Sequence, residues 1–187
     1  TLDRSSAASD VYKRQWWFLV LAVGFGGFFR LVRAALPAAP AHAALAGGLL
    51  YALSPRVLTT LGAISSETWP VMLAPWVVLP FLRAGRLTWR DAAPSVVAVA
   101  CMGAVNATAT LAACLPAGLV LVWRRAGKAG LAWLAGCAAV SAWWIVPLLI
   151  LGRFAPPFTE FIESARVTTR WLNLPEILRG TTSWAPF

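Results

Sequence analysis

Acidic residues are scarce in this chain: seven Asp and Glu stand against sixteen Lys and Arg, and only 12% of 187 positions carry charge of either sign. A soluble domain carries about 25% charged residues, so both a water-soluble globule and a disordered chain are excluded. Histidine occurs once, at His42, and cysteine three times, at Cys101, Cys114 and Cys137, with no CxxC and no Cys/His metal spacing. All three thiols lie in apolar stretches, where cysteine behaves as a small hydrophobe, which excludes a disulfide scaffold. A Walker loop, a GxGxxG turn, an HExxH helix and a Ser/His/Asp set are also missing. The net charge of +9 does not mark a nucleic-acid partner, because the cations form short clusters between long uncharged runs instead of one stripe.

Hydrophobicity is what the chain has in quantity: 59% of residues are hydrophobic and the mean hydropathy is +0.70. The first fifteen residues, TLDRSSAASDVYKRQ, stand apart as a polar, charged stretch without the apolar run of a signal peptide. SSAASDVYKRQ resembles a translated sequencing adapter, so residues 1–15 are expected to be a non-native leader and the remainder a fragment of a longer membrane protein. Residues 16–152 then form a transmembrane helical region and residues 153–187 an interfacial segment.

A helix needs about 20 residues to cross a bilayer core. Uncharged windows fall at residues 16–29, 34–55, 68–82, 92–123 and 129–152, with the helix of the second expected over 39–53. Three cation clusters adjoin them: Arg30/Arg33, Arg83/Arg86/Arg90 and Arg124/Arg125/Lys128. The positive-inside rule places such clusters on the cytoplasmic side, which puts residues 54–67 on the outer face. Window 92–123 has both ends inside, yet as one helix its 32 residues would run about 48 Å. It must turn, and GAVNATAT at 103–110 supplies Gly103, Asn106 and Thr108 for the bend. The fold class is therefore all-α: a polytopic transmembrane helix bundle of about six helical segments, including a short central hairpin.

Of the five acids after residue 15, only Asp91 falls inside, while Glu67, Glu160, Glu163 and Glu176 fall outside. In segment 54–70, SPRVLTTLGAISSETWP, the pair Ser65/Ser66 with Glu67 suits a helix cap and Pro70 a first turn. Alternatively Arg56 and the hydroxyls line a pocket for a phosphate or sugar, since the guanidinium fork matches phosphate. In segment 152–184, Pro156-Pro157 stops a helix and an amphipathic stretch follows. Glu160 and Glu163 share a face if helical, either as solvated surface or as a carboxylate pair able to accept a proton. His42 sits at a helix start, and Asn106-Ala-Thr108, though a sequon, lies in a membrane turn. Trp16/Trp17, Trp69, Trp89, Trp123, Trp171 and Trp184 sit near helix ends like an interfacial belt, whereas Trp76 and Trp143/Trp144 fall inside helices and need partners for their indole N–H groups.

YALSPRVLTTLGAISSETWPVMLAPWVVLP at 51–80, GAVNATATLAACLPAGL at 103–119 and FIESARVTTRW…LPEILRGTTSW at 161–184 together resemble the N-terminal membrane region of the actinobacterial alpha-(1→3)-arabinofuranosyltransferases, which are GT-C-type enzymes. The resemblance covers residues 16–187 and implies a GT-C-like, multi-pass plasma-membrane glycosyltransferase with its active face periplasmic. It further implies an inverting transfer of D-arabinofuranose from a decaprenyl-phosphate-linked donor to an arabinan acceptor, within the lipid bilayer and without nucleic acid. Family members usually carry an essential acid in the first outer loop, which would precede Trp16. Among the acids present, Glu163 with Glu160 is expected in the catalytic role, and Arg56, Glu67 and Arg166 in substrate binding. No metal ligand set is visible and no cofactor is named, although a divalent cation is compatible with this chemistry. The fragment by itself is expected to be inactive. A transporter or flippase subunit would instead need intramembrane charges, which are nearly missing, and a non-catalytic scaffold would scatter Arg56, Glu67, Glu163 and Arg166 over separate surfaces.

Overall fold

The computed structural model describes residues 2–82, 85–104, 106–154 and 173–179, with side chains from residue 11 onward. Every regular element among them is helical: α1 (Leu2–Ala35), α2 (Ala41–Ala52), α3 (Pro55–Ala63), α4 (Ser65–Val78) running into a 3₁₀ turn (Leu79–Leu82), α5 (Trp89–Ala100), α6 (Ala107–Trp123), α7 (Gly127–Phe154) and α8 (Leu174–Arg179). By length and composition, Val11–Ala35, Ala41–Ala63 and Gly127–Phe154 are able to cross a membrane. The protein is an all-α membrane protein.

Direction alternates as the arginine clusters require. On α1, Gly24 and Gly27 meet Met72 and Trp76 of α4 in the same order, so the two helices run in parallel. A Cβ on Gly24 would stand 2.1 Å from the Met72 sulfur, and one on Gly27 2.5 Å from the Trp76 indole nitrogen. These two small residues are what lets the helices approach so closely, as in small-residue membrane interfaces. Gly48 of α2 lies against Phe25, returning that helix antiparallel to α1. At the far end of α4, the Arg30 guanidinium stacks 5.1 Å from the Trp76 ring, and Arg124 donates to the carbonyls of Phe81 (2.8 Å) and Gly85. With Arg86 lining one cavity with Arg124, cations from three separate turns gather at one end of the bundle.

The central hairpin forms as expected. α5 has 12 residues and α6 has 17, or about 18 and 25 Å. Gly103 makes the bend with φ +70, a left-handed conformation that glycine adopts without steric cost. Neither short helix spans alone. Their turn is covered by α4, where Trp69 Nε1 donates to the Cys101 carbonyl at 2.7 Å, satisfying a backbone acceptor that lipid would leave bare. At the other end of α5, the Asp91 carboxylate accepts from both the backbone N–H (2.7 Å) and the hydroxyl (2.8 Å) of Thr88, closing the helix start.

The core joins α4, α5, α6 and α7 around Val77, Phe81, Val99, Met102, Ala117, Leu121 and Trp133. Inside it, Trp133 Nε1 donates to Ser95 Oγ (2.9 Å), which donates to the Val77 carbonyl (2.7 Å). Trp76, one of the tryptophans within a helix, donates to the Val23 carbonyl at 3.0 Å. Ser95→Ala strands both the indole N–H and the carbonyl, and we expect a loss of about 1–2 kcal/mol. Thermal unfolding of the full-length protein in detergent checks this, with Ser95→Thr, which keeps the hydroxyl, retaining most of the stability.

Three local expectations are corrected. Residues 54–67, whose composition reads as a polar segment joining two helices on the outer face, are mostly helical themselves: they form α3, which starts on Pro55 and buries Val57 and Leu61, four apart on one face. Ser65 and Ser66 do not cap α4. Ile64 occupies the cap position without a side-chain hydrogen bond, leaving Ser65 as the first helical residue. Pro70 consequently lies inside α4 with Pro75, beyond the first turn. These two prolines remove backbone donors, and the helix ends shortly afterwards in its 3₁₀ turn.

One residue holds unusual backbone geometry. Arg125, just after α6, has φ 51, with its own N–H bonded to Val122 O (2.9 Å) and the next, Ala126 N–H, to Leu121 O (3.0 Å). This is the left-handed helix ending that glycine normally serves. Keeping a side chain there costs about 1 kcal/mol.

Candidate functional site

At the end of the bundle away from the gathered cations, three elements meet. α3 carries Arg56 at its second position and Thr60 one turn on, α4 carries Glu67 and Thr68 in and just after its first turn, and the hairpin contributes Asn106 and Thr108 at the start of α6. Together they line a cavity of about 350 Å³ whose apolar floor includes Val57, Val71 and Ala112. The segment 54–67 and the central turn, 39 residues apart at their contact, are thereby brought to one polar site.

That contact is a hydrogen bond from Asn106 Nδ2 to Glu67 Oε1 at 3.2 Å. The amide cannot turn freely, because Asn106 Oδ1 caps α6 by accepting from Ala109 N–H at 3.0 Å. The cap therefore decides which end of the amide faces Glu67, and Asn106 positions the half-buried carboxylate. Glu67 itself lies in the first turn of α4, at the positive end of the helix dipole. Thr68, 1% exposed, has a hydroxyl without a hydrogen-bond partner among the described residues. A buried unsatisfied hydroxyl costs about 1–3 kcal/mol. Thr59, in contrast, is committed to its own helix, donating to the carbonyls of Pro55 (2.9 Å) and Arg56 (3.1 Å).

Arg56 and Glu67, expected as substrate-binding residues, thus line one cavity. Glu160, Glu163 and Arg166 lie outside the described residues. His42 sits exposed at the second position of α2 and does not line the cavity. Among the described residues no three His, Cys, Asp or Glu side chains form a metal-holding group. Asn106 and Thr68 were not singled out for this role from sequence. The available signal was parity, since the hairpin turn and segment 54–67 had to share a face.

The sequence matches, over residues 3–187, the family described as alpha-(1->3)-arabinofuranosyltransferase, N-terminal GT-C domain. An alpha-(1->3)-arabinofuranosyltransferase of Mycolicibacterium smegmatis is 52% identical over 188 residues, covering 95% of this chain and 13% of that protein. One of Mycobacterium tuberculosis is 48% identical over 190 residues, with the same coverages of 95% and 13%. Two cryo-electron-microscopy structures of the arabinofuranosyltransferase AftD from mycobacteria share the fold. One has a TM-score of 0.70 at 46% identity over 85% of this chain, and the other 0.73 at 43% over 91%. In each case the chain spans 13% of the solved protein. With the match running through the α3–α4 and hairpin residues that build the cavity, this chain belongs to the family of N-terminal GT-C domains of alpha-(1->3)-arabinofuranosyltransferases.

Proposed function

We propose that the full-length protein transfers D-arabinofuranose from a decaprenyl-phosphate donor to cell-wall arabinan, at the periplasmic face of the plasma membrane, and that the cavity between α3, α4 and the hairpin binds the donor. The observation that carries this reading is the convergence of Arg56, Glu67 and Asn106, from three separate elements, in one polar cavity at the end opposite the cation clusters. A scaffold has no need of that convergence, and the cavity sits at a helix-end surface instead of along a path through the bilayer.

The chemistry follows from the groups present. A lipid phosphate leaves with its charge as the sugar–oxygen bond breaks, and the Arg56 guanidinium offers two parallel donors to that developing anion. The sugar passes through an oxocarbenium-like state. The Glu67 carboxylate, held by Asn106, accepts from sugar hydroxyls. Glu163, with Glu160, takes the proton of the acceptor hydroxyl as it attacks from the opposite side, so that the anomeric centre inverts in one displacement. Arg166 adds positive charge for substrate binding. Neither step requires a nucleotide, and no step is assigned to a divalent cation.

The test is transfer by the full-length protein from a synthetic polyprenyl-phosphoryl arabinofuranose to an arabinan oligosaccharide, with linkage analysis of the product. An alpha-(1→3) branch is expected, and Glu67→Gln should lower kcat/KM by about tenfold to a hundredfold through loss of charged hydrogen bonds. Asn106→Ala, which releases the Glu67 carboxylate, should reproduce part of that loss. No branch from the wild-type protein overturns the proposal, and unchanged kinetics in both variants removes the cavity from it.

A further inference from the structure

The opposite end of the bundle holds a second polar cavity, of about 730 Å³, that the transferase reading does not use. Its wall carries Arg86 from the loop before α5, Arg124 and Arg125 from the end of α6, and Lys128 from the first turn of α7. Arg124 is engaged by the Phe81 and Gly85 carbonyls and ties the loop down. The Arg86, Arg125 and Lys128 side chains are exposed and make no hydrogen bond or ion pair among the described residues. Asp91, the acid near them in sequence, faces a different cavity and is engaged by Thr88. Three like charges held this close, without a counter-charge on the wall, call for an anion.

A second cavity of about 960 Å³ continues from the first. It is an apolar groove between α6 and α7, and Arg125, Ala126 and Gly127 line both. Leu115, Leu119 and Leu131 are among its walls, and Gly118 and Gly130 keep it open. Its α6 wall, from Thr110 to Val122, rises about 18 Å. One leaflet of a 30 Å hydrocarbon core is about 15 Å deep. Trp89 and Trp123, both exposed, stand at the level of the cations, where interfacial tryptophans belong. Arg125 joins head and groove, and it is the residue kept in left-handed geometry where glycine would be unstrained.

We propose that this is a site for one anionic glycerophospholipid, with its phosphodiester among Arg86, Arg125 and Lys128 and an acyl chain in the α6–α7 groove. A cationic pocket opening into an apolar channel of leaflet depth matches an amphiphile with a phosphate head. The depth of the α6 wall favours a leaflet lipid over a longer polyprenyl chain. The cationic head of the site lies at the opposite end of α6 from Asn106, while its groove reaches back along α6 to Thr110, and none of its residues lines the donor cavity.

Native mass spectrometry of the full-length protein, offered phosphatidylglycerol and phosphatidylcholine in equal amounts, tests the assignment. Preferential retention of phosphatidylglycerol is expected, falling about fivefold for each of Arg86→Gln and Lys128→Gln. Arg125→Gly should lose the preference while keeping or raising thermal stability, because it relaxes the backbone. A merely structural Arg125 would leave lipid retention unchanged. Equal retention of the two lipids, or retention indifferent to all three variants, overturns the proposal. Displacement of phosphatidylglycerol by millimolar inorganic phosphate would show a free-anion site instead, and displacement by a polyprenyl phosphate a second prenyl site; either overturns the glycerophospholipid assignment.

Discussion

Arg56→Ala in the full-length protein is expected to lower kcat by about 10²–10³, the usual effect of removing one preorganised group aimed at developing charge. The reasoning starts from position. Arg56 is the second residue of α3, anchored by Pro55 in front of it and by the buried Val57 and Leu61 behind it, so its base is fixed while its side chain reaches into the cavity that holds Glu67. Burial in the core contributes nothing to it, since the residue is exposed. Its loss should therefore leave folding nearly intact while removing charge from the departing phosphate. Arg56→Lys separates charge from geometry, because lysine keeps a point charge and loses the planar fork; it should recover about a tenth of wild-type turnover. Steady-state kinetics on the lipid-linked donor, run beside thermal unfolding, is the measurement. Unchanged donor use with a lowered unfolding midpoint would make Arg56 a structural residue of α3.

The architecture was legible because two constraints acted together. Uncharged windows marked where helices lie, and the cations at 30–33, 83–90 and 124–128 fixed their alternation. Window 92–123 shows the strength of the combination: too long for one helix and bounded by like charges, it had to turn, and it turns at Gly103 before the Asn106 cap. The helix over 54–63 was not legible because Pro55 and the hydroxyls of Thr59 and Thr60 suit a polar connection between helices equally well. In the folded chain that proline occupies a first helical position, where its missing N–H is harmless, and Thr59 bonds back to the preceding turn. The cap of α4 was misassigned because hydroxyl content alone does not say where the helix begins: Ser65 is already its first residue and Ile64 holds the cap position. What sequence could not supply was the pairing of Asn106 with Glu67 and the burial of Ser95 and Thr68. Each depends on helices 18 or more positions apart, and no local periodicity records such a contact. The groove between α6 and α7 was hidden for the same reason: Leu115, Leu119 and Leu131 read as ordinary apolar faces until the two helices are seen leaving a gap.

Glu163→Gln should have the larger effect on chemistry, a loss of about 10³ in kcat, as removal of a general base typically costs 10²–10⁴. The division of labour between the acids rests on what Glu67 already does. One of its oxygens is held by Asn106, whose own orientation is fixed by capping α6, so Glu67 is a static acceptor suited to binding hydroxyls. A base must instead release its proton after each turnover, the role proposed for Glu163, for which Glu160, three positions earlier, would supply a second carboxylate on the same face of a helix. The two roles separate kinetically. Loss of the base should leave donor binding intact and abolish transfer, whereas Glu67→Gln should weaken kcat/KM with binding. Single-turnover transfer and donor binding, measured on both variants of the full-length protein, distinguish them. Wild-type turnover in Glu163→Gln, together with collapse in Glu67→Gln, would move the proton acceptor into the α3–α4 cavity and make Asn106 its positioning residue.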